Sequence, residues 1–368
     1  MELFLLEHKK LWRKKSVKIS VLLCLVYTVI FGSILSFQWF SFGSSDDYTS
    51  AFGNNFDGYE VIRRSQEYSL MVGGKLTDES LQQLVKDYQS MDAAGLEDDL
   101  EKTDWTTINS WLGTLYPELS DTGNPRTMIS YVDPNKLTDF YERRRSAVED
   151  FLENSGQVGN EKEYLMQMNQ NVSEPFHYEW VKGWSEVLGS MVPDLGVVMA
   201  LFLAIALSSL FAGEWYNNTT SLVLTTQNGW KKVAYAKIFT GIAFTIELFF
   251  ILLIGNVTSQ VFFMGTAGWD MPIQTIKLIA IAPMNMFQAE IYEYAFAFFG
   301  AIGFCGVVML ISSAVKSNVL ALLFSLAIVY GPMMISEYLP YGVQKALDLI
   351  PLVGSGACLL YTSPSPRD

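Results

Sequence analysis

The residues able to do chemistry are few and scattered. The two histidines, His8 and His177, stand far apart, and Cys24, Cys305 and Cys358 share no metal-ligand or redox spacing. No H-E-x-x-H, G-x-S-x-G or G-x-x-x-x-G-K-[ST] pattern occurs. Gly73-Gly74-Lys75 only echoes a phosphate loop, because Leu76 stands where a hydroxyl residue would meet magnesium. The acidic run Glu97, Asp98, Asp99 and Glu101 lacks the glycine-bearing loop that arranges oxygens around calcium. Arg143–Arg145 is open to two readings: an anion site, or a solvated helix face pairing with Glu142, Glu149 and Asp150. No catalytic, cofactor-binding or metal residue set follows from these residues. The expectation is a non-catalytic chain without a cofactor of its own.

The remaining chemistry depends on apolar surroundings. Only 17% of the chain is charged, against roughly 25% in ordinary soluble proteins. Residues 39–186 hold 27 acidic and 12 basic residues, so the net charge of −13 belongs to that segment and the rest is slightly basic. An acidic segment of this kind repels phosphates and argues against nucleic acid as a partner. It contains no cysteine, so no internal disulfide staples it.

About 20 apolar residues carry a helix across a hydrocarbon core of about 30 Å. Five stretches reach that length: 19–40, 187–211, 238–263, 294–315 and 319–335. The first could be read as a signal peptide, but its apolar run exceeds the usual length of about 7–15 residues and no A-x-A site follows, which favours an anchor. A sixth span is expected to start in 351–360 (PLVGSGACLL). It is cut short by YTSPSPRD, which resembles translated adaptor sequence, so 351–368 is expected to be the truncated start of that span followed by an artefactual tail, the alternative being a genuine short polar tail. Glu247 lies near the middle of the third span, where a carboxyl is costly unless it finds protein, water or a proton. It is either a polar point on a cargo path, an interhelical clasp, or a hydrogen-bond partner of Ser312 or Ser325. Asp194 follows Pro193 near one end of the second span, and Glu290 and Glu293 sit at the mouth of the fourth.

Orientation follows from lysine and arginine near the span ends. Lys9, Lys10, Arg13, Lys14, Lys15 and Lys18 precede the first span. Lys231, Lys232 and Lys237 separate the second and third, and Lys316 separates the fourth and fifth. These regions are expected in the cytoplasm, with residues 41–186 outside a plasma membrane. Residues 1–18 are amphipathic, with Leu3, Leu5, Leu6, Leu11 and Trp12 against Glu7, Lys9, Lys10, Arg13 and Lys14. That pattern predicts an interfacial helix on an anionic leaflet.

Residues 41–186 are too long for a structureless loop and must form a domain. Helical spacing is present over 76–91, with Asp78 as N-cap and Leu81, Leu84, Val85 and Tyr88 on one face. It recurs over 133–154, with Pro134 in the first turn and Leu137, Phe140, Tyr141, Val148, Phe151 and Leu152 apolar. A strand is expected over 59–70. Trp105, Trp111 and Tyr116 point to a small core or a contact surface. Trp180 and Trp184 are expected at the bilayer interface, and Met264, Met271, Met284 and Met286 as interfacial packing.

The most informative stretch is 210–238, LFAGEWYNNTTSLVLTTQNGWKKVAYAKI. Glu214 leaves the second span and Thr219-Thr220 follow. Leu222, Val223 and Leu224 make a short apolar segment, and Thr225 opens a polar turn before Lys231, Lys232 and Lys237. This loop resembles the one between the second and third spans of type-2 ABC exporter permeases of bacteria. Glu214, Thr219, Thr220, Leu222, Leu224, Thr225, Lys232 and Lys237 match the family pattern. Gln227 stands where proline is common, and Lys232 where arginine is frequent. The amphipathic start, 1–18, is also usual in that family. The resemblance covers the helical skeleton, 1–38 and 187–350, and only the loop is specific.

The resemblance implies an all-α polytopic membrane protein with an α-rich extracytoplasmic domain. Residues 1–18 would be the interfacial helix, 19–40 the first span, 41–186 the domain, and 187–350 spans two to five with a coupling loop over 213–237. The coupling helix, 217–228, would seat on a separate P-loop ATPase that binds ATP and magnesium. A second permease copy or related chain would complete the pathway for an amphiphilic peptide, drug or lipid. The alternative is a signalling or mechanotransmission subunit whose outer domain senses a ligand or partner.

Overall fold

A computed structural model describes residues 2–41, 66–67, 73–93, 105–120, 125–154, 159–219, 225, 229–335, 338 and 343. The expected strand over 59–70 falls mostly outside them, and its described part, Gln66 and Glu67, is helical. The acidic run at 97–101, Thr220, Leu222, Leu224 and the tail over 351–368 also lie outside the described residues.

The described elements, in chain order, are α1 (Glu2–Arg13), α2 (Lys15–Ser41), β1 (Gly74–Lys75), α3 (Asp78–Ala93), α4 (Trp105–Leu115), α5 (Phe140–Asn154), α6 (Asn160–Gln170), β2 (His177–Tyr178), α7 (Val181–Glu186), α8 (Val192–Leu207), α9 (Ser209–Tyr216), α10 (Gly229–Phe263), α11 (Met286–Ala314) and α12 (Asn318–Ile335). Short 3-10 turns and a π segment at Val187–Met191 link some of them. Apart from two paired residues in each strand, the described fold is helical.

Four helical stretches are long and apolar enough to cross a membrane: Gly183–Tyr216, Lys231–Phe262, Met286–Ala314 and Asn318–Ile335. They correspond to the second to fifth expected spans. The fourth begins before residue 294, because Met286–Glu293 add helical turns in which Glu290 and Glu293 are buried. The first expected span lies within α2, a continuous helix of 27 residues.

The chain forms two compact units. The first comprises the described residues of 1–32, 190–259 and 291–358. Its helices pack through small residues and hydroxyls, as expected where lipid supplies no hydrophobic drive between helices. A Cβ on Gly255 of α10 would lie 2.5 Å from the Thr28 hydroxyl of α2, so only glycine allows that approach. Ser259 Oγ donates to the Thr28 carbonyl at 3.1 Å, and Asn256 donates to the Met191 carbonyl at 3.0 Å. Tyr330 of α12 donates its hydroxyl to the Val197 carbonyl of α8 at 2.8 Å. Pro332 sits inside α12, a placement that membrane helices tolerate. Leu22, Leu23, Phe250, Ile254, Leu323 and Phe324 turn outward, leaving exposed apolar faces that mark a lipid-facing surface.

The second unit holds the described residues of 33–189 together with 260–290. Its core is aromatic: Trp111, Tyr116, Phe140, Phe176, Tyr178 and Trp180 are all buried. Trp111 meets Tyr178 and Phe140 edge-on at 5.7 and 6.1 Å, the geometry ring quadrupoles favour. Gly74 pairs with Tyr178 and Lys75 with His177 in the antiparallel β1–β2 ladder.

The expected faces of both helices are buried, through Leu81, Leu84 and Val85 of α3 and Phe140, Val148 and Leu152 of α5. Their starts differ from expectation. Thr77, not Asp78, caps α3, exchanging hydrogen bonds with Ser80. Asp78 reaches across instead and accepts from the backbone N–H groups of Asp139 and Phe140, capping α5. The single helix expected over 133–154 is therefore two elements. A 3-10 turn at Pro134–Lys136 is capped by Asp133, and α5 begins after Asp139, whose φ of 60° breaks the helical path.

The loop over 264–285 is part of this unit. Ile279 and Ile281 join Val148 and Leu152 in one apolar cluster. A buried irregular loop must have its carbonyls satisfied, and α4 and α5 supply donors. Trp111 Nε1 donates to the Thr275 carbonyl at 3.1 Å, and Arg144 donates to the carbonyls of Leu278 and Ala280, both at 2.8 Å.

Trp184 donates to the Ala267 carbonyl at 2.7 Å. Trp180 packs so closely over Gly183 that a Cβ there would fall 2.1 Å from its ring. Both tryptophans are buried within the protein. Met271, also expected at an interface, is fully buried.

Candidate functional site at the Glu214–Lys237 clamp

The ends of the 217–228 loop are tied together within the first unit. Helix α8 stops at Leu207, and the chain restarts at Ser209 as α9. Ser312 of α11 bridges this break. Its hydroxyl donates to the Ser208 carbonyl at 2.7 Å and accepts from the N–H groups of Phe211 and Ala212 at 3.0 and 3.1 Å. The hydroxyl thus serves backbone groups at the break between the two helices.

Beyond this interruption of the hydrogen-bond ladder, Glu214 of α9 meets Lys237 of α10. Lys237 Nζ lies 2.6 Å from Glu214 Oε1 and donates to the Leu210 carbonyl at 2.7 Å, with the Phe211 ring 5.1 Å away. The Lys237 side chain is 1% exposed and that of Glu214 is 16% exposed, so the charge of Lys237 is held inside the protein. Such an ammonium is tolerable only with a carboxylate and a carbonyl aimed at it.

Helix α1 closes over the pair. Lys10 Nζ lies 3.8 Å from Glu214 Oε1 and 3.4 Å from Glu7 Oε1. Lys14 Nζ donates to Ser209 Oγ at 2.7 Å. Burial, and then the like charges of Lys10 and Lys237, push the Lys14 amine down to about 8, against the pull of Glu7 and Glu214.

One helical face of α1 also reaches Glu247 of α10. Trp12 Nε1 donates to Oε2 at 3.0 Å, and His8 Nε2 lies 3.1 Å from Oε1. Phe244 stacks edge-on with Trp12 at 5.6 Å. Glu247 is therefore an interhelical clasp, but not to the serines weighed as partners: Ser312 serves the α8–α9 break and Ser325 donates to the Ala321 carbonyl. Asp194 is half-buried in the first turn of α8.

Of the loop residues singled out in the sequence, Glu214 and Lys237 come together. Thr219 folds back, its N–H and hydroxyl both donating to the Glu214 carbonyl at 3.0 and 3.3 Å. Lys232 is exposed on the first turns of α10, and Thr225 is exposed. Sequence reasoning missed Ser209, Ser312, Glu7, Lys10 and Lys14 as members of this cluster. The basic residues at the start of the chain carry a signal, which the sequence alone reads as topology and as the polar face of an interfacial helix. The arginine run in the second unit divides as neither reading proposed. Arg143 pairs with Glu118 at 2.6 Å, Arg145 with Glu174 at 2.5 Å, and Arg144 is buried in the core.

The fold defines a helical multi-pass membrane protein. No family model, curated protein or solved structure matches the chain.

Proposed function

We propose that this chain is the permease subunit of an ATP-driven exporter of the type-2 ABC class, working with a separate P-loop ATPase. The observation that carries the reading is the Glu214–Lys237 pair. Two of the three charged residues matching the family pattern, one on either side of the loop, bind one another, with Lys237 buried.

A segment that transmits force from a partner must be anchored at both ends, and this pair joins them. The amphipathic start of the chain reaches the same point through Lys10 and Lys14, and His8 and Trp12 hold α1 to Glu247 of α10. In this reading Glu214 and Lys237 position the loop, while Leu222 and Leu224 present the apolar surface to the ATPase. The clamp lies at the cytoplasmic face. The α2 helix is the first span, residues 41–186 lie outside, and two permease halves enclose the path of an amphiphilic cargo.

Co-purification in mild detergent tests this. A P-loop ATPase should accompany the full-length chain in stoichiometric amount, and be lost from the Leu222→Asp, Leu224→Asp double variant while membrane insertion persists. An ATPase absent from several detergents, or retained by the variant, contradicts the proposal.

One observation favours the second reading, a signalling or mechanotransmission subunit. The loop joining α10 to α11 is bonded into the second unit through Trp111, Arg144 and Trp184. A domain tied to the ends of two spans can pass movement along them. A continued requirement for residues 41–186 with no transported compound would favour that reading.

A further inference from the structure

The second unit brings together three metal-ligating side chains that lie apart in the sequence. His177 and Glu179 flank Tyr178 at the end of β2, and Asp270 comes from the loop between α10 and α11. One ligand atom from each lies within 4.8 Å of the others. His177 Nε2 is already 2.9 Å from Glu179 Oε1. His177 and Asp270 are exposed, and Glu179 is half-buried, so the site opens to solvent.

The backbone beneath the three is fixed. Residue 177 is held by the β1–β2 pairing. The Glu179 N–H donates to Met271 Sδ at 3.0 Å, which fastens the neighbour of Asp270 to the neighbour of Tyr178. Both flanks of Asp270 are hydrogen-bonded: the Trp269 carbonyl accepts from Phe287 N–H at 3.0 Å, and the Met271 carbonyl accepts from Met286 N–H at 2.9 Å. Gly268, at φ 76°, makes the turn leading into this segment. The short side chain of Asp270 therefore swings from an anchored stem.

Two carboxylates beside one imidazole offer several oxygen lone pairs and a ring nitrogen to a single ion. One imidazole nitrogen with two carboxylate oxygens is a borderline donor set, suited to zinc and its first-row neighbours more than to calcium, which takes six or more oxygens. Zinc bonds to nitrogen and oxygen of about 2.0–2.2 Å place neighbouring ligand atoms about 3–3.5 Å apart. The His177–Glu179 separation already meets that spacing, and rotation of the exposed Asp270 side chain closes the remainder.

We propose that His177, Glu179 and Asp270 bind one divalent cation of the zinc class, with water completing the shell. The ion fastens the 264–285 loop to the strand that precedes α7. This site stands on the geometry of the second unit alone and is independent of the permease reading.

The test is titration of the purified full-length chain, carrying no polyhistidine tag, with zinc chloride alone by isothermal calorimetry. One site is expected. His177→Ala and Asp270→Asn should each weaken it at least tenfold. Thermal unfolding in the presence of chelator separates binding from folding: the variants should keep the metal-free midpoint and lose the zinc-induced rise. Absence of zinc binding to the wild-type chain, or binding that survives both His177→Ala and Asp270→Asn, overturns the proposal.

Discussion

Lys237 Nζ lies 2.6 Å from Glu214 Oε1 with its side chain 1% exposed, so a single buried ion pair joins the last turns of α9 to the start of α10. The two residues stand on either side of residues 217–228 in the chain, and their pairing joins the helices that flank that segment. Helix α1 brings Lys10 to the pair, and Lys14, just after α1, bonds to Ser209 beside it. The arrangement accounts for two properties of the first unit: why a lysine can be buried there, and why the basic start of the chain is held against α9 and α10.

Breaking the pair from one side should be costly, because the remaining charge stays buried. Lys237→Met or Glu214→Leu alone is expected to destabilise the first unit by about 3–5 kcal/mol. The double replacement, two apolar residues of similar volume, should recover most of the loss. Thermal unfolding of the detergent-solubilised variants checks this. Single variants as stable as the parent would remove the clamp from the account.

Arg144 and Arg145 are neighbours that should behave in opposite ways. Arg144 is wholly buried and donates to two carbonyls of the 264–285 loop, whereas Arg145 makes a half-exposed pair with Glu174. Hydrogen bonds from a charged donor contribute about 1.5–3 kcal/mol each, and an exposed pair about 0.2–1 kcal/mol. Arg144→Ala should therefore free the loop to proteolysis while Arg145→Ala leaves it protected. Arg144→Lys should not rescue, because an ammonium lacks the planar fork that spans both carbonyls. Equal protease sensitivity of the two alanine variants would contradict the assignment.

The depressed amine of Lys14 makes a pH prediction with a definite sign. Its folded-state value is about 8 and its ordinary value 10.5. Between those limits the unfolded chain binds the additional proton, so this residue makes stability rise with pH across that window. Below about 8 both states are protonated and its contribution is constant. The unfolding midpoint of Lys14→Met, subtracted from that of the parent, should therefore change between pH 8 and 10.5 and be flat below. A flat difference throughout would show that the amine is not buried as described.

The membrane helices were the most legible part of the fold, because lipid demands long apolar runs and little else produces them. The second to fifth expected spans all coincide with helices long and apolar enough to cross a membrane. Their ends were less legible: Met286–Glu293 carries carboxylates that look like loop residues until they are buried together in a helix. Helix faces in the second unit were also legible, since Leu81, Leu84, Val85, Val148 and Leu152 follow the helical period. Contacts made through backbone carbonyls were not. Nothing in the sequence around Leu278 and Ala280 announces that Arg144 will bond there, because an acceptor carbonyl belongs to every residue type. Asp78 looked like the cap of its own helix and serves another, because two hydroxyl residues, Thr77 and Ser80, already occupy the nearer role. In the candidate site, Glu214 and Lys237 were both picked out, but as separate members of a pattern. Their direct pairing brings together side chains from two different helices, and the Ser312 hydroxyl that serves the backbone between α8 and α9 lies more than a hundred residues away in sequence.

The most direct test of the permease reading is site-specific photocrosslinking in intact membranes. A photoreactive phenylalanine analogue placed at position 222 or 224 should form an adduct with a P-loop ATPase, identified by mass spectrometry. The same analogue at position 155, in the domain assigned to the outside, should form none. No ATPase adduct at either loop position, or an ATPase adduct at position 155, would contradict the assignment of this chain as a permease driven through its 217–228 loop.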